Sequence, residues 1–275
     1  MSPSTEEYFV AQLLLRGEPI GSEGRGDQIR AVLFDKDGTL SISEPKLHAL
    51  ARARVSACLS LLGQQQPELA EAVAADLDQL LGRAYGLLTG GLHPAGTTAV
   101  ASRDHNLIST ATALAQVGLG WPEAVELAEA VFEITDHLAG SGPGSASEVT
   151  PGLHRLLRSL SDAGLNCAVI SNDDRRGIEA FLHRHSIAHH FQGLWSAEHS
   201  PRKPNPAAVH ALCCELGVAP EHCALIGDAN SDLRMARAAG VAVVIGYIAA
   251  WSSEPPLDPQ FPRLDHWDQL TVMAA

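Results

Sequence analysis

Four short apolar runs, at residues 31–34, 167–170, 223–226 and 241–245, constrain this chain more than anything else in it. Each is too short for a helix and carries no polar residue to face water. Each therefore reads as a strand buried on both faces of a parallel sheet. Helical patterns separate the last three, over 175–185, 206–216 and 232–239, the last ending at Gly240. A weaker strand reads at 193–196. Strands alternating with helices imply an α/β fold with a doubly wound parallel sheet, whose ligands lie beyond the carboxyl ends of the strands.

The interval between the first two runs is far longer than one crossover helix needs. It reads as helical throughout, with candidate helices over 44–62, 67–88, 107–117 and 122–139. The last carries Ala124, Leu127, Val131, Ile134 and Leu138 near helical spacing. The expectation is a core of residues 1–43 and 146–275 with an inserted all-helical domain over 44–145. The chain would enter the insert through 41–45 and leave it through the Gly-rich stretch 140–144. Residues 13–20 suit an edge strand with a turn and carry no readable chemistry.

At 275 residues and 45% apolar composition, the chain can bury one large core and a smaller second unit. No apolar run is long enough to span a membrane. The first residues, with Glu6 and Glu7, lack the basic and apolar segments of a secretory signal. Cysteines at 58, 167, 213, 214 and 223 show no CxxC spacing and read as reduced residues of a cytoplasmic protein. A net charge of −13 argues against nucleic acid as a partner. An anionic substrate would have to be held by local groups and a metal cation. Of the 19 basic residues only Lys36, Lys46 and Lys203 are lysines, and Lys203 is the natural point charge for a phosphate.

Four polar elements follow in order, each beyond an apolar run or in a loop. They are Asp35-Lys36-Asp37-Gly38-Thr39, Ser171-Asn172, Lys203-Pro204 and Gly227-Asp228-Ala229-Asn230-Ser231-Asp232. Parallel strands would gather them at one edge. Asp35 can attack phosphorus and carry the phosphoryl group as an acyl phosphate. Asp37 can protonate the leaving alkoxide and then deprotonate the attacking water. Two carboxylates beside a phosphate dianion require a hard cation, and oxygen ligands on separate loops suit Mg²⁺. Taken singly, the same motifs also suit a turn, a helix cap or a calcium loop. A calcium loop would want a further acidic residue, where Leu40 and Ile42 stand instead.

Jointly, over residues 31–246, the motifs resemble the haloacid dehalogenase superfamily, in particular its Mg²⁺-dependent phosphatases of the phosphoglycolate-phosphatase type with a helical cap. The resemblance implies a Rossmann-like core. It implies metal ligation by the Asp35 carboxylate, the Asp37 carbonyl and Asp228. Asp232 would hold a metal-bound water or orient Lys203. Thr39, Ser171, Asn172 and Lys203 would bind the phosphoryl group. Segments 90–98 and 102–106 resemble the substrate loop of such caps, where Arg103, with His105 nearby, could hold a carboxylate. The lead substrate is accordingly 2-phosphoglycolate.

Asp37 disfavours a dehalogenase, and Lys46 is the only lysine available for a phosphonatase Schiff base. A sugar-phosphate phosphatase and a β-phosphoglucomutase-like phosphotransferase stay open, as does a non-catalytic phosphate-binding protein. Asp173 and Asp174 read as caps of the next helix, and His183, His185, His189 and His190 as a solvated face. The oligomeric state is left open.

Overall fold

The computed structural model describes residues 11–21, 28–136 and 147–274. The glycine-rich exit expected at 140–144 lies outside them. The chain divides into two compact units. One comprises Met1–Leu40, Val149–Ala249 and Leu257–Ala275; the other comprises Ser41–Glu148 and Ala250–Pro256.

The first unit is built on a six-stranded sheet. Its strands run, side by side, Arg263–Leu264, Val243–Tyr247, Cys223–Gly227, Ala31–Phe34, Asn166–Ile170 and Phe191–Trp195. Every neighbouring pair is parallel. Ala31–Phe34 sits in the middle and is buried along its whole length. From it the chain builds outward on one side through 166–170 and 191–195. It then crosses back to build the other side through 223–227 and 243–247. The order therefore reverses between 31–34 and 223–227, which is where open α/β sheets place their sites.

Alternate strand residues supply one core face. Ala31, Leu33, Ala168, Ile170, Cys223 and Leu225 pack with Val209, Leu212 and Cys213 of the helix Pro206–Leu216 and with Met235 and Ala236 of the helix Asn230–Ala238. On the other face Phe34 meets Phe191 and Trp267 edge-on, and Tyr247 stacks on Trp267. All five cysteines are free, with Cys213 and Cys223 buried against each other.

Three features of the first unit depart from the sequence expectation. Ala11–Leu15 is the middle strand of a small antiparallel sheet, not an edge, because the distant Leu270–Ala274 pairs with it. A helix over Leu153–Asp162 precedes the second core strand, burying Leu153, Leu156, Leu157 and Leu160. His190 is buried and shares a hydrogen bond with Ser161, unlike the solvated face expected for the histidines.

The second unit holds the helices Glu44–Gln65, Pro67–Tyr85, Arg103–Gln116 and Trp121–Asp136. It is not the all-helical unit expected, because a two-stranded hairpin, Leu87–Leu88 with Gly91–Leu92, follows the helix that ends at Tyr85. Glu44 is a buried carboxylate here. It accepts from the Leu92 amide at 2.8 Å and from the amide and hydroxyl of Ser252, each at 2.6 Å. Among the described residues no helix is long and apolar enough to cross a membrane.

Candidate active site

The reversal point brings Asp35 and Asp228 together, each the first residue beyond its strand. The two strands are bonded in register, and the Asp35 amide donates to the Ile226 carbonyl at 2.9 Å. Gly38, at φ +81°, turns the chain off the sheet in a conformation that other residues rarely adopt. Gly227 allows a close approach, since a Cβ there would lie 2.8 Å from the Asp232 Cβ.

Lys203 arrives from the loop ahead of the helix Pro206–Leu216, and its ammonium is buried. It lies 2.6 Å from Asp35 Oδ1 and 2.7 Å from Asp232 Oδ1, and it donates to the Ile170 carbonyl at 3.1 Å. An ammonium has three donors, so all three are engaged. Burial works against its charge, but the Asp232 and Asp35 carboxylates outweigh burial and lift its pKa. Burial also acts on Asp35, raising its carboxyl to about 7 even against the pull of Lys203.

Among the described residues, Asp35, Asp228 and Asp232 form the one grouping of acidic, His or Cys side chains able to hold a metal. Their ligand oxygens lie within 4.8 Å of one another. An all-oxygen, carboxylate-rich set suits a hard divalent cation. Thr39 is fully buried with its hydroxyl 3.5 Å from Asp228 Oδ1. Ser171 directly follows the neighbouring strand Asn166–Ile170; its hydroxyl accepts from the Asp173 amide at 3.2 Å. Asn172 follows it, partly exposed.

Asp174 caps the helix Arg175–Arg184, as the sequence suggested, by accepting from the Gly177 amide. Asp173 does something else. Its carboxylate lies 2.8 Å from Lys36 Nζ, which also meets both oxygens of Asp37, at 2.6 and 2.7 Å. The site thus contains a second buried ammonium. The sequence marked Lys36 only as a lysine within a motif, and no spacing rule links it to Asp173.

Arg103 and His105 lie in the second unit, and they stand in a helix where a loop was expected. Ser102 accepts from the His105 amide and starts the helix Arg103–Gln116. Arg103 Nε donates to Asp136 at 2.6 Å. Asp136 also accepts from Arg54, whose guanidinium lies 3.8 Å from the Phe132 ring centre.

A model of haloacid dehalogenase-like hydrolases matches residues 29–240. The chain belongs to that family. This haloacid dehalogenase-like hydrolase is 29% identical to a phosphoglycolate phosphatase of Pseudomonas putida, over 86% of this chain and 75% of that protein. It is 25% identical to an N-acetylmuramic acid 6-phosphate phosphatase of Pseudomonas aeruginosa, over 88% of this chain and 96% of that protein. Its fold is similar to the crystal structure of a predicted phosphoglycolate phosphatase from Haemophilus somnus, with TM-score 0.60 at 20% identity, covering 87% of this chain and 95% of that one. The chain is therefore an enzyme of the hydrolase class with phosphatase relatives.

Proposed function

We propose that this hydrolase cleaves a small soluble phosphate monoester in two steps, through a phosphoryl group carried on Asp35. The reading rests on one observation above others: Asp35 directly follows the central strand at the reversal point with the Lys203 ammonium 2.6 Å from its carboxylate. A carboxylate so placed can attack phosphorus, and an ammonium so placed can neutralise the transferring oxygens. In the first step the bond from phosphorus to the ester oxygen breaks, Asp35 takes the phosphoryl group, and Asp37 protonates the departing oxygen. In the second, Asp37 removes a proton from water, which displaces phosphate and restores the Asp35 carboxylate.

Ser171, Asn172 and Lys203 supply donors to the phosphoryl oxygens. Because all three Lys203 donors are engaged, one must be exchanged when phosphate binds. The Asp35 and Asp228 carboxylates and the Asp37 carbonyl would hold Mg²⁺, with Asp232 keeping Lys203 in line. When bound, Mg²⁺ supplies the positive charge that lets a phosphate dianion approach these carboxylates.

The lead substrate is 2-phosphoglycolate, supported by the names of several relatives. A sugar phosphate is the second reading, supported by the N-acetylmuramic acid 6-phosphate phosphatase, which this chain matches over nearly all of that protein's length. Both named substrates are acids. Phosphate release from phosphoglycolate, hexose phosphates, N-acetylmuramic acid 6-phosphate and glycerol phosphate, with Mg²⁺ and with chelator, tests this. We expect chelator-sensitive release that favours one of the two acids, and complete loss in Asp35→Asn. Turnover retained by pure Asp35→Asn would remove the nucleophile assignment.

A further inference from the structure

The Lys36 ammonium has no part in the steps above, yet it is as buried as Lys203. Burying an ammonium is costly unless carboxylates surround it. The Asp37 and Asp173 carboxylates lie 2.6 and 2.8 Å from Lys36 Nζ. The supporting groups form a chain. The Asp173 carboxylate accepts from the Asp174 amide at 2.9 Å. It also lies where a Cβ on Gly177 would come within 2.7 Å of its Oδ2, so the first helical turn makes room for it. Asp173 holds Lys36, which in turn engages both oxygens of Asp37. The Phe181 ring centre lies 5.9 Å from the same ammonium and shields it from water.

We propose that Lys36 is a positioning residue for Asp37: bridged to Asp173, it fixes the direction in which Asp37 presents its carboxyl for both proton transfers. Asp173 is what makes the arrangement workable. It lets Lys36 release one Asp37 oxygen without being left as an uncompensated buried charge. This rests on the acid–base role of Asp37 stated above, under which the proton passes to the departing oxygen as its bond to phosphorus breaks.

The test is the dependence of kcat/KM on the leaving group, comparing glycerol phosphate, which needs a proton donor, with 4-nitrophenyl phosphate, which does not. Asp37→Asn should depress the alkyl ester about 100-fold more than the aryl ester. Lys36→Met should shift that ratio in the same direction by about tenfold, and by under about twofold when added to Asp37→Asn. Equal losses on both esters in Lys36→Met would make Lys36 merely structural and overturn the proposal. A ratio unchanged by Asp37→Asn would instead sink the acid–base reading itself. If Lys36→Met does not fold, Asp173→Asn decides, since it leaves Lys36 in place with one anchor. A shift of about threefold in the same direction would support the proposal, and no shift would overturn it.

Discussion

Asp35 meets two conditions that pull apart: the proposed attack needs it ionised, and it is buried. Burial lifts its carboxyl from the ordinary value of 3.8 to about 7 despite the neighbouring ammonium. Between about pH 4 and pH 7 the folded chain therefore holds a proton there that the unfolded chain has released. Stability should fall as pH rises through that window in metal-free protein. Denaturant midpoints with chelator at both ends of the window should show the wild type losing ground relative to Asp35→Asn; a constant difference would count against it. Most residues of this site were legible because their motifs follow apolar runs, and Lys203 because lysine is rare in the chain. The pairing of Lys36 with Asp173 was not, because it joins loops that only the folded sheet brings together.

Elements differ in how well their ends are marked. The helix Pro206–Leu216 was read to the residue, with Asn205 accepting from the Ala207 amide at its start and Gly217 at φ +65° closing it. Two-residue strands such as Leu87–Leu88 are too short to show any period. Leu153–Asp162 buries Leu153, Leu156, Leu157 and Leu160 at helical spacing, yet no helix was expected there. Within the second unit Glu44 ties the residues at 250–256 to the hairpin through two backbone amides. Glu44→Ala leaves both without an acceptor, so a loss of about 3 kcal/mol is expected in denaturant unfolding. Glu44→Gln, which keeps an acceptor, should lose less. Equal behaviour of the two variants would assign the loss to packing alone.

For the whole molecule, a charge of −13 sets a repulsive field around a site that is to take an anion. Screening that field should help binding, so KM for a phosphate dianion should fall about twofold between about 10 mM and 150 mM salt. A rise with salt would show that local cations outweigh the overall field. The α/β architecture was readable from the spacing of apolar runs, whereas the small sheet was not, since Ala11–Leu15 pairs with residues at the far end of the chain. The central place of Ala31–Phe34 has a consequence for how the molecule comes to exist. This strand bonds to 166–170 on one side and to 223–227 on the other. Contacts so distant in sequence form slowly. During synthesis the segment bearing Asp35 leaves the ribosome before either neighbour is available. The proposed nucleophile is thus made before the strands that flank it, and a chain stalled before residue 223 would lack both one of those strands and the Asp228 carboxylate.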